Sequence, residues 1–575
     1  MKANKYISTA LLIVLVLFIN ILSSFINWNV DLTADKKYSF AKASTTIINS
    51  LDDKLFIKVY LEGDFPAEFK KLQKSTEDLL KRFKAIGNKN IDFEFINPNN
   101  VANDIEKLAL FKQLVKLKLS PTDLEIKKDG KQVNQIIFPG AIIYYKDKQT
   151  AVNFLKQSPG ETPGSNINTS IEGLEYEFVS AIEHLTKNRL TKIAFLEGNG
   201  ELSEQQVYDI TESVLDDNFN LSYLYKVDRF NIKEFAIDST TMLPDLSRQL
   251  FLLNSYKAII IAKPTIPFNN LDKMLIDQYI MQGGKVLWLV DGVKASMDSL
   301  QNKSGTFIAT KNVLNIEDQL LKYGVRINAN LIEDLRSTKI PIITGYSNNK
   351  PQQSYFSWPY SALLVSNSKH TISKSLDGIK CEFVSSIDTV KNNIRKTILL
   401  HSSKDSRLNP APIKISLGTL ENPPTTNSYN KEFLPIAILL EGEFESVFKD
   451  KLVQKNKQIQ FIEKSVSTKM IVVSDGDMIA NDLSNSGGIY PLGYDKNIKF
   501  TYPGNKHFLI NAVQYLCGDN ALSHLKVKEL GLRMLDKKKI QKNKLIIQLI
   551  NIALPILLLL IFALFFVRHK KRKYA

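Results

Sequence analysis

Two stretches without a charged residue, Tyr6 to Val30 and Leu545 to Val567, lie at opposite ends of this chain and constrain everything between them. A helix needs about 20 apolar residues to cross the hydrocarbon core of a bilayer. The first stretch contains LLIVLVLFINIL, and the second, at the rise of an α-helix, is about 34 Å long. The sequence therefore predicts one transmembrane helix at residues 6–28 and another at 545–567. Met1 to Lys5 forms a short basic head, so a cleaved signal peptide is the alternative for the first. Its apolar stretch is longer than a usual signal core and no Ala-x-Ala site follows, which favours an uncleaved anchor.

Orientation follows from the distribution of positive charge. The second helix has Lys537, Lys538, Lys539, Lys542 and Lys544 before it and Arg568, Lys570, Lys571, Arg572 and Lys573 after it, which is a tie. The short basic head of the first helix breaks it. Both termini, including the basic tail 568–575, are then expected in the cytoplasm and the bulk of the chain on the far side.

That bulk has a globular composition, 44% hydrophobic and 23% charged, in a chain of 575 residues, too long for one core. The net charge of +16 raises nucleic acid as a partner, but 64 of the 75 basic residues are lysines spread along the whole chain. Few arginines are present to fork onto phosphates, so a solvated lysine-rich surface is the reading and nucleic acid is not a partner. Cys381 and Cys517 make neither a disulfide framework nor a metal cluster.

Residues 31–157 read as a first domain. LFIKVYLEG is strand-like, and in the segment after it Phe69, Leu72, Leu79, Leu80 and Phe83 recur at helical spacing. The strand IDFEFINP, a helix near IEKLALFKQLVKL, and the strands NQIIFPGAIIYYKD and QTAVNFL complete a β-α-β-α-β-β order like that of the thioredoxin fold. No Cys-x-x-Cys occurs, so redox chemistry is excluded and a scaffold or binding unit is expected.

Ser158 to Ser170 is rich in Pro, Gly, Ser and Asn and reads as a linker. Beyond it, within 171–530, the helix LEYEFVSAIEHLTK is followed by alternating apolar strands and amphipathic helices. KIAFLEG, KAIIIAKP and KVLWLVDG are strands, and SEQQVYDITESVLDD and NNLDKMLIDQYIMQGG are helices. This pattern predicts a doubly wound parallel sheet, completed by MIVVSDGD and the helix NKHFLINAVQYL. Residues 340–465, polar and interrupted by prolines, read as an insertion or accessory region.

The usual chemical motifs are missing. Gly198-Asn199-Gly200 lacks the third glycine of a dinucleotide fingerprint, and Ser203 with Gln206 reads as a capping box. There is no G-x-x-x-x-G-K-[ST], so any ATP is hydrolysed by a partner. Six scattered histidines include no H-E-x-x-H, and no G-x-S-x-G nucleophile turn occurs. No catalytic residue, metal or cofactor is assigned.

One constellation stands out. Glu197, Asp291, Asp475 and Asp477 stand at the C-terminal ends of predicted buried strands, and a shared parallel sheet gathers them along the edge where open α/β sheets bind ligands. Such a group can hold a cation or sugar hydroxyls. The competing reading is that each acidic residue caps a turn or the helix that follows.

Several stretches in a shared order resemble the GldG-like auxiliary family of ABC transporters. They are DLTADKKYS from Asp31, LDDKLFIKVYLEGDFPAEFKKL from Leu51, YEFVSAIEHLTKNRLTKIAFLEGNGE from Tyr176, DQYIMQGGKVLWLVDGV from Asp277, FSWPY from Phe356, LPIAILLEGEFESVF from Leu434 and MIVVSDGDMIAND from Met470. The resemblance implies a bacterial inner-membrane subunit with a periplasmic bulk, working with an ABC ATPase and a multi-span permease in gliding motility and associated export. It also implies a second domain like the GIFT domain of intraflagellar transport proteins, distantly like class I glutamine amidotransferases. The amidotransferase nucleophile has no match, since Asp291-Gly292 follow KVLWLV.

Two functions are therefore expected in competition. One is a non-enzymatic auxiliary subunit engaging a partner or cargo, and the other is a membrane-tethered module that binds glycan or peptidoglycan with the acidic edge. A hydrolase using those carboxylates as acid and base is a third, weakened because sequence spacing places no two of them at working distance.

Overall fold

The computed structural model describes residues 40–574, apart from 88–89, 102, 129–130, 156–162, 187–189, 215–218, 236, 238–243, 348–349, 365, 367–369, 375, 377, 450–458, 485 and 519–543. The chain forms two compact units, Met1–Glu529 and Leu530–Ala575. The helix expected at residues 6–28 lies outside the described residues.

The first unit opens with a small mixed sheet. Its elements are β1 (Leu55–Val59), α1 (Ala67–Ile86), β2 (Ile91–Phe95), α2 (Asp104–Lys116), β3 (Thr122–Lys128), β4 (Lys131–Ile137), β5 (Gly140–Tyr145), β6 (Lys148–Asn153) and α3 (Pro163–Thr186). The strand order is β2-β1-β5-β6, with β1 parallel to β2 and antiparallel to β5, and β5 antiparallel to β6. Leu55, Ile57 and Val59 alternate inward, as a half-buried strand requires. Leu72, Thr76, Leu79, Leu80 and Phe83 form the stripe that α1 buries.

Two expectations are corrected here. NQIIFPGAIIYYKD is not one strand: it breaks at Phe138-Pro139, and β4 pairs instead with β3 in a separate hairpin. Proline has no N–H for the ladder, and a Cβ at Gly140 would meet Val152 O at 2.6 Å. The expected linker also ends early, because α3 starts at Pro163, a residue suited to a first helical turn. Ile167, Leu174 and Phe178 on α3 are buried in the same core as Phe83.

The larger sheet has seven strands in the order β12-β13-β14-β10-β9-β7-β8. These are β7 (Lys192–Glu197), β8 (Lys226–Asn231), β9 (Ala258–Ala262), β10 (Lys285–Leu289), β12 (Arg395–His401), β13 (Pro435–Gly442) and β14 (Thr468–Val473); β11 is the long strand Lys350–Leu364 of a neighbouring hairpin. β8, β7, β9, β10 and β14 are mutually parallel. Ile193, Phe195, Leu287 and Leu289 face one core and Ala194, Leu196, Val286 and Trp288 the other, so both faces are covered. α4 (Asn270–Met281) belongs to the second core and α5 (Gly504–Cys517) to the first.

The expected all-parallel sheet is therefore a mixed one. β13 runs antiparallel to β14, and β12 antiparallel to β13. Both added strands come from within 340–465, so part of that stretch completes the sheet: the apolar run of β13 is buried at five consecutive positions. The rest of the stretch builds a satellite core around Trp358, Tyr360 and Phe383.

β8 was not anticipated, because none of its residues is fully buried and its pattern is that of a polar edge strand. The helix expected from Ser203 is a 3-10 turn, Gln205–Val207, and a single helical turn, Tyr208–Thr211. Asp209 explains the early stop. Its buried carboxylate accepts from Val214 N at 2.7 Å, Leu492 N at 2.8 Å and Lys506 Nζ at 3.2 Å, and Ser213 turns into the left-handed region at φ +70°.

In the second unit the described element is one helix, α6 (Lys544–Tyr574), which contains Pro555. Among the described residues no helix is long and apolar enough to cross a membrane. The continuous run of described side chains in α6 begins at Ala553, and from Leu554 to Val567 its large apolar residues are exposed.

Candidate functional site

Three adjacent parallel strands deliver the site. β9 ends into Lys263, β10 into Asp291, and β14 into Asp475-Gly476-Asp477. Backbone bonds tie these ends together: Lys263 N donates to Leu289 O at 2.9 Å, and Val290 N to Val473 O at 2.9 Å. One carboxylate oxygen from each of Asp291, Asp475 and Asp477 lies within 4.8 Å of the others. Lys263 Nζ pairs closely with Asp477 and stands 3.6 Å from Asp291 Oδ2.

Backbone N–H groups take up much of the negative charge. Gly476 N donates to Asp291 Oδ1 at 2.5 Å, Asp477 N and Met478 N donate to Asp475 Oδ1 at 2.8 and 3.1 Å, and Glu382 N donates to Asp475 Oδ2 at 3.1 Å. Asp475 thus does cap the short turn after its strand, so the capping reading holds for this residue alongside the convergence. Gly476 is needed for space: a Cβ there would lie 2.6 Å from Lys263 Cγ.

The electrostatics follow from burial. Asp475 is fully buried, and burial together with the charges of Asp477 and Asp291 pushes its pKa well up. Burial and the Asp291 charge push Asp477 up to about 7 against the pull of Lys263. Burial also raises Asp291, opposed by Lys263 and the Gly476 N–H. For Lys263 burial acts downward, but Asp477 and Asp291 outweigh it and its pKa is raised. Asp291 and Asp477 keep some surface and can accept hydrogen bonds from hydroxyls, whereas Asp475 is closed off, with both oxygens held by backbone N–H groups. An added cation has to displace Lys263, which already sits between Asp477 and Asp291.

Glu197 is not part of this group. Its carboxylate pairs closely with Arg229 on β8, whose Nη2 donates to Leu202 O at 2.6 Å. The crevice between β7 and β9, where the chain changes its direction of travel across the sheet, is laced shut. Thr265 N and Ile266 N donate to Asn199 O, and Leu202 N donates to Ala262 O. Gly200 permits this, since a Cβ there would meet Thr265 Oγ1 at 2.2 Å.

Two contributors were missed from the sequence. Lys263 follows an apolar strand with nothing to mark it. Asn312 Nδ2 donates to Asp291 O at 3.0 Å, and its buried Oδ1 has no hydrogen-bond partner among the described residues. Asn312, Asp291, Lys311, Glu317 and Arg326 line a cavity of about 40 Å³ beside the acidic group, room for a water or two.

Fold and site define a mixed α/β protein with an acidic cluster at the C-terminal ends of adjacent strands of its larger sheet. The chain belongs to the family described as an ABC-type uncharacterized transport system, which matches residues 190–512, from the approach to β7 into α5. It is thereby an auxiliary component of such a system. Residues 34–144 match a domain of unknown function, DUF7088. An uncharacterized protein of Borreliella burgdorferi is 21% identical over 475 residues, covering 80% of this chain and 81% of its own. The mmIFT52 N-terminal domain aligns with 57% of this chain and 97% of its own at 15% identity, with a TM-score of 0.29, too low to carry an argument.

Proposed function

We propose that the chain is a non-enzymatic auxiliary subunit of an inner-membrane ABC-type complex that serves gliding motility and associated export. In this reading the end helices anchor it with both termini cytoplasmic, and residues 31–544 lie in the periplasm. A multi-span permease packs against the helices and a separate ATPase hydrolyses ATP. The family match over residues 190–512 carries the reading. The sequence lacks a P-loop and two helices make no pore, so partners are required. The exposed apolar run of α6 supports anchorage. The order β2-β1-β5-β6 supports a thioredoxin-like scaffold, and the mostly parallel seven-stranded sheet supports a GIFT-like second domain.

Asp291 and Asp477, backed by the buried Asp475, are in this reading the edge that engages a periplasmic partner or cargo. Their hydroxyl-accepting chemistry favours a second reading, a tethered glycan- or peptidoglycan-binding module. Purification of the full chain from detergent separates the two. An ATPase and a permease recovered in fixed ratio support the first, whereas a chain that purifies alone and is retained on isolated cell wall, with retention lost in Asp291→Asn, replaces it with the second.

A further inference from the structure

The edge of the large sheet opposite the acidic group is basic. Each of the five neighbouring parallel strands carries a lysine at its N-terminal end: Lys226 opens β8, Lys192 opens β7, Lys257 immediately precedes β9, Lys285 opens β10, and Lys469 is the second residue of β14. Register places them together. Lys192 pairs with Lys226, and the pairing of Ile193 with Ala258 sets Lys257 beside Lys192. Neighbouring strands are about 4.8 Å apart, so these three form a short cationic row.

Two of the five lysines have local work. Lys285 Nζ donates to Gly283 O at 3.1 Å, and Lys469 Nζ lies 4.0 Å from the centroid of the Tyr515 ring. Burial depresses Lys285, and the charges of Lys257 and Lys469 depress it further, so the edge already repels added positive charge. Lys192, Lys226 and Lys257 are exposed, and among the described residues none has a carboxylate within ion-pairing distance. Like charges held in register are unfavourable unless an anion compensates them.

The path of the chain favours one occupant for this edge. α5 runs back to it, since Tyr515 lies under Lys469 and the helix ends at Cys517 with Gly518 in the left-handed region. The polypeptide therefore leaves its larger domain beside the lysines, and residues 519–543 separate this exit from α6, with its exposed apolar run. We infer that the N-terminal edge of the large sheet docks on an anionic phospholipid surface, with Lys192, Lys226 and Lys257 against the headgroup phosphates. This rests on the reading that α6 enters the bilayer; lysines close to an anionic surface bind it through charge that salt screens.

The test uses the full chain in nanodiscs of phosphatidylcholine, with or without one third phosphatidylglycerol, and a short pulse of lysine acetylation read by peptide mass spectrometry. Lys192, Lys226 and Lys257 are expected to label about three-fold more slowly in the anionic discs, an effect that high salt removes. The exposed Lys303, Lys391 and Lys404 serve as controls and should label equally in both. In the triple Lys→Gln variant, Lys285 should lose any lipid-dependent protection. Equal labelling of the row in both discs overturns the inference, as does protection produced only by added polyphosphate or an acidic protein in neutral discs. Failure of the chain to enter either disc sinks the anchorage reading instead; flotation with anionic against neutral liposomes then decides the row alone, and equal flotation overturns it.

Discussion

Lys263 sets the charge balance of the acidic edge, because it is the ammonium paired with Asp477 and near Asp291. Replacing it by Met leaves three clustered carboxylates without their counter-charge. Breaking a buried pair costs about 3–5 kcal/mol; Lys263 keeps 22% of its side-chain surface, so about 2 kcal/mol is expected at pH 8. The loss should shrink in acid. Asp477 has a folded-state pKa of about 7, above its ordinary value, so the folded state binds the extra proton. Its contribution to stability is greatest below about pH 4 and is lost as pH rises to about 7. Thermal unfolding of Lys263→Met at pH 8 and pH 5 checks this, and an equal deficit at both would refute the charge account. The aspartates were visible in the sequence as the ends of buried strands. Glu197 looked equivalent to them, and only β8 reveals its engagement: Arg229 sits on an edge strand too polar to announce itself.

At the scale of elements, the core strands were legible because they are continuously apolar, whereas the segments that failed were decided by single tertiary contacts. Asp209 ends a helix that periodicity extends, and Pro139 divides a strand that composition joins. Asp277 shows the same principle. On α4 it accepts from Tyr323 Oη at 2.8 Å, Ser446 Oγ at 2.6 Å, Val447 N at 3.1 Å and Gln278 Nε2 at 3.1 Å. It joins α4 to two segments distant in sequence, neither of which carries a local signal for it. Asp277→Ala leaves those buried donors without an acceptor and is expected to cost about 3 kcal/mol. Urea unfolding followed by tryptophan fluorescence, to which the buried Trp288 and Trp358 contribute, reads it; an unchanged midpoint would show the network to be dispensable.

The larger sheet of the first unit has two unlike edges. Parallel strands give the large sheet a polarity that an antiparallel sheet lacks, and here acidic groups gather at one end and lysines at the other. Composition alone showed only a net charge of +16 and could not show this segregation, which depends on register between strands far apart in sequence. The proposed topology uses that polarity: a basic edge toward lipid directs the acidic edge away from it. If residues 31–544 lie outside the cytoplasm, protease added to spheroplasts should digest the middle of the chain and spare fragments carrying the end helices. Tags at the N- and C-termini should remain protected until the membrane is breached. An intact chain after treatment, with a periplasmic control protein degraded, would place the bulk inside. Cleavage of only one tag in sealed spheroplasts would mean an odd number of crossings and would remove the helix beside that tag from the anchor.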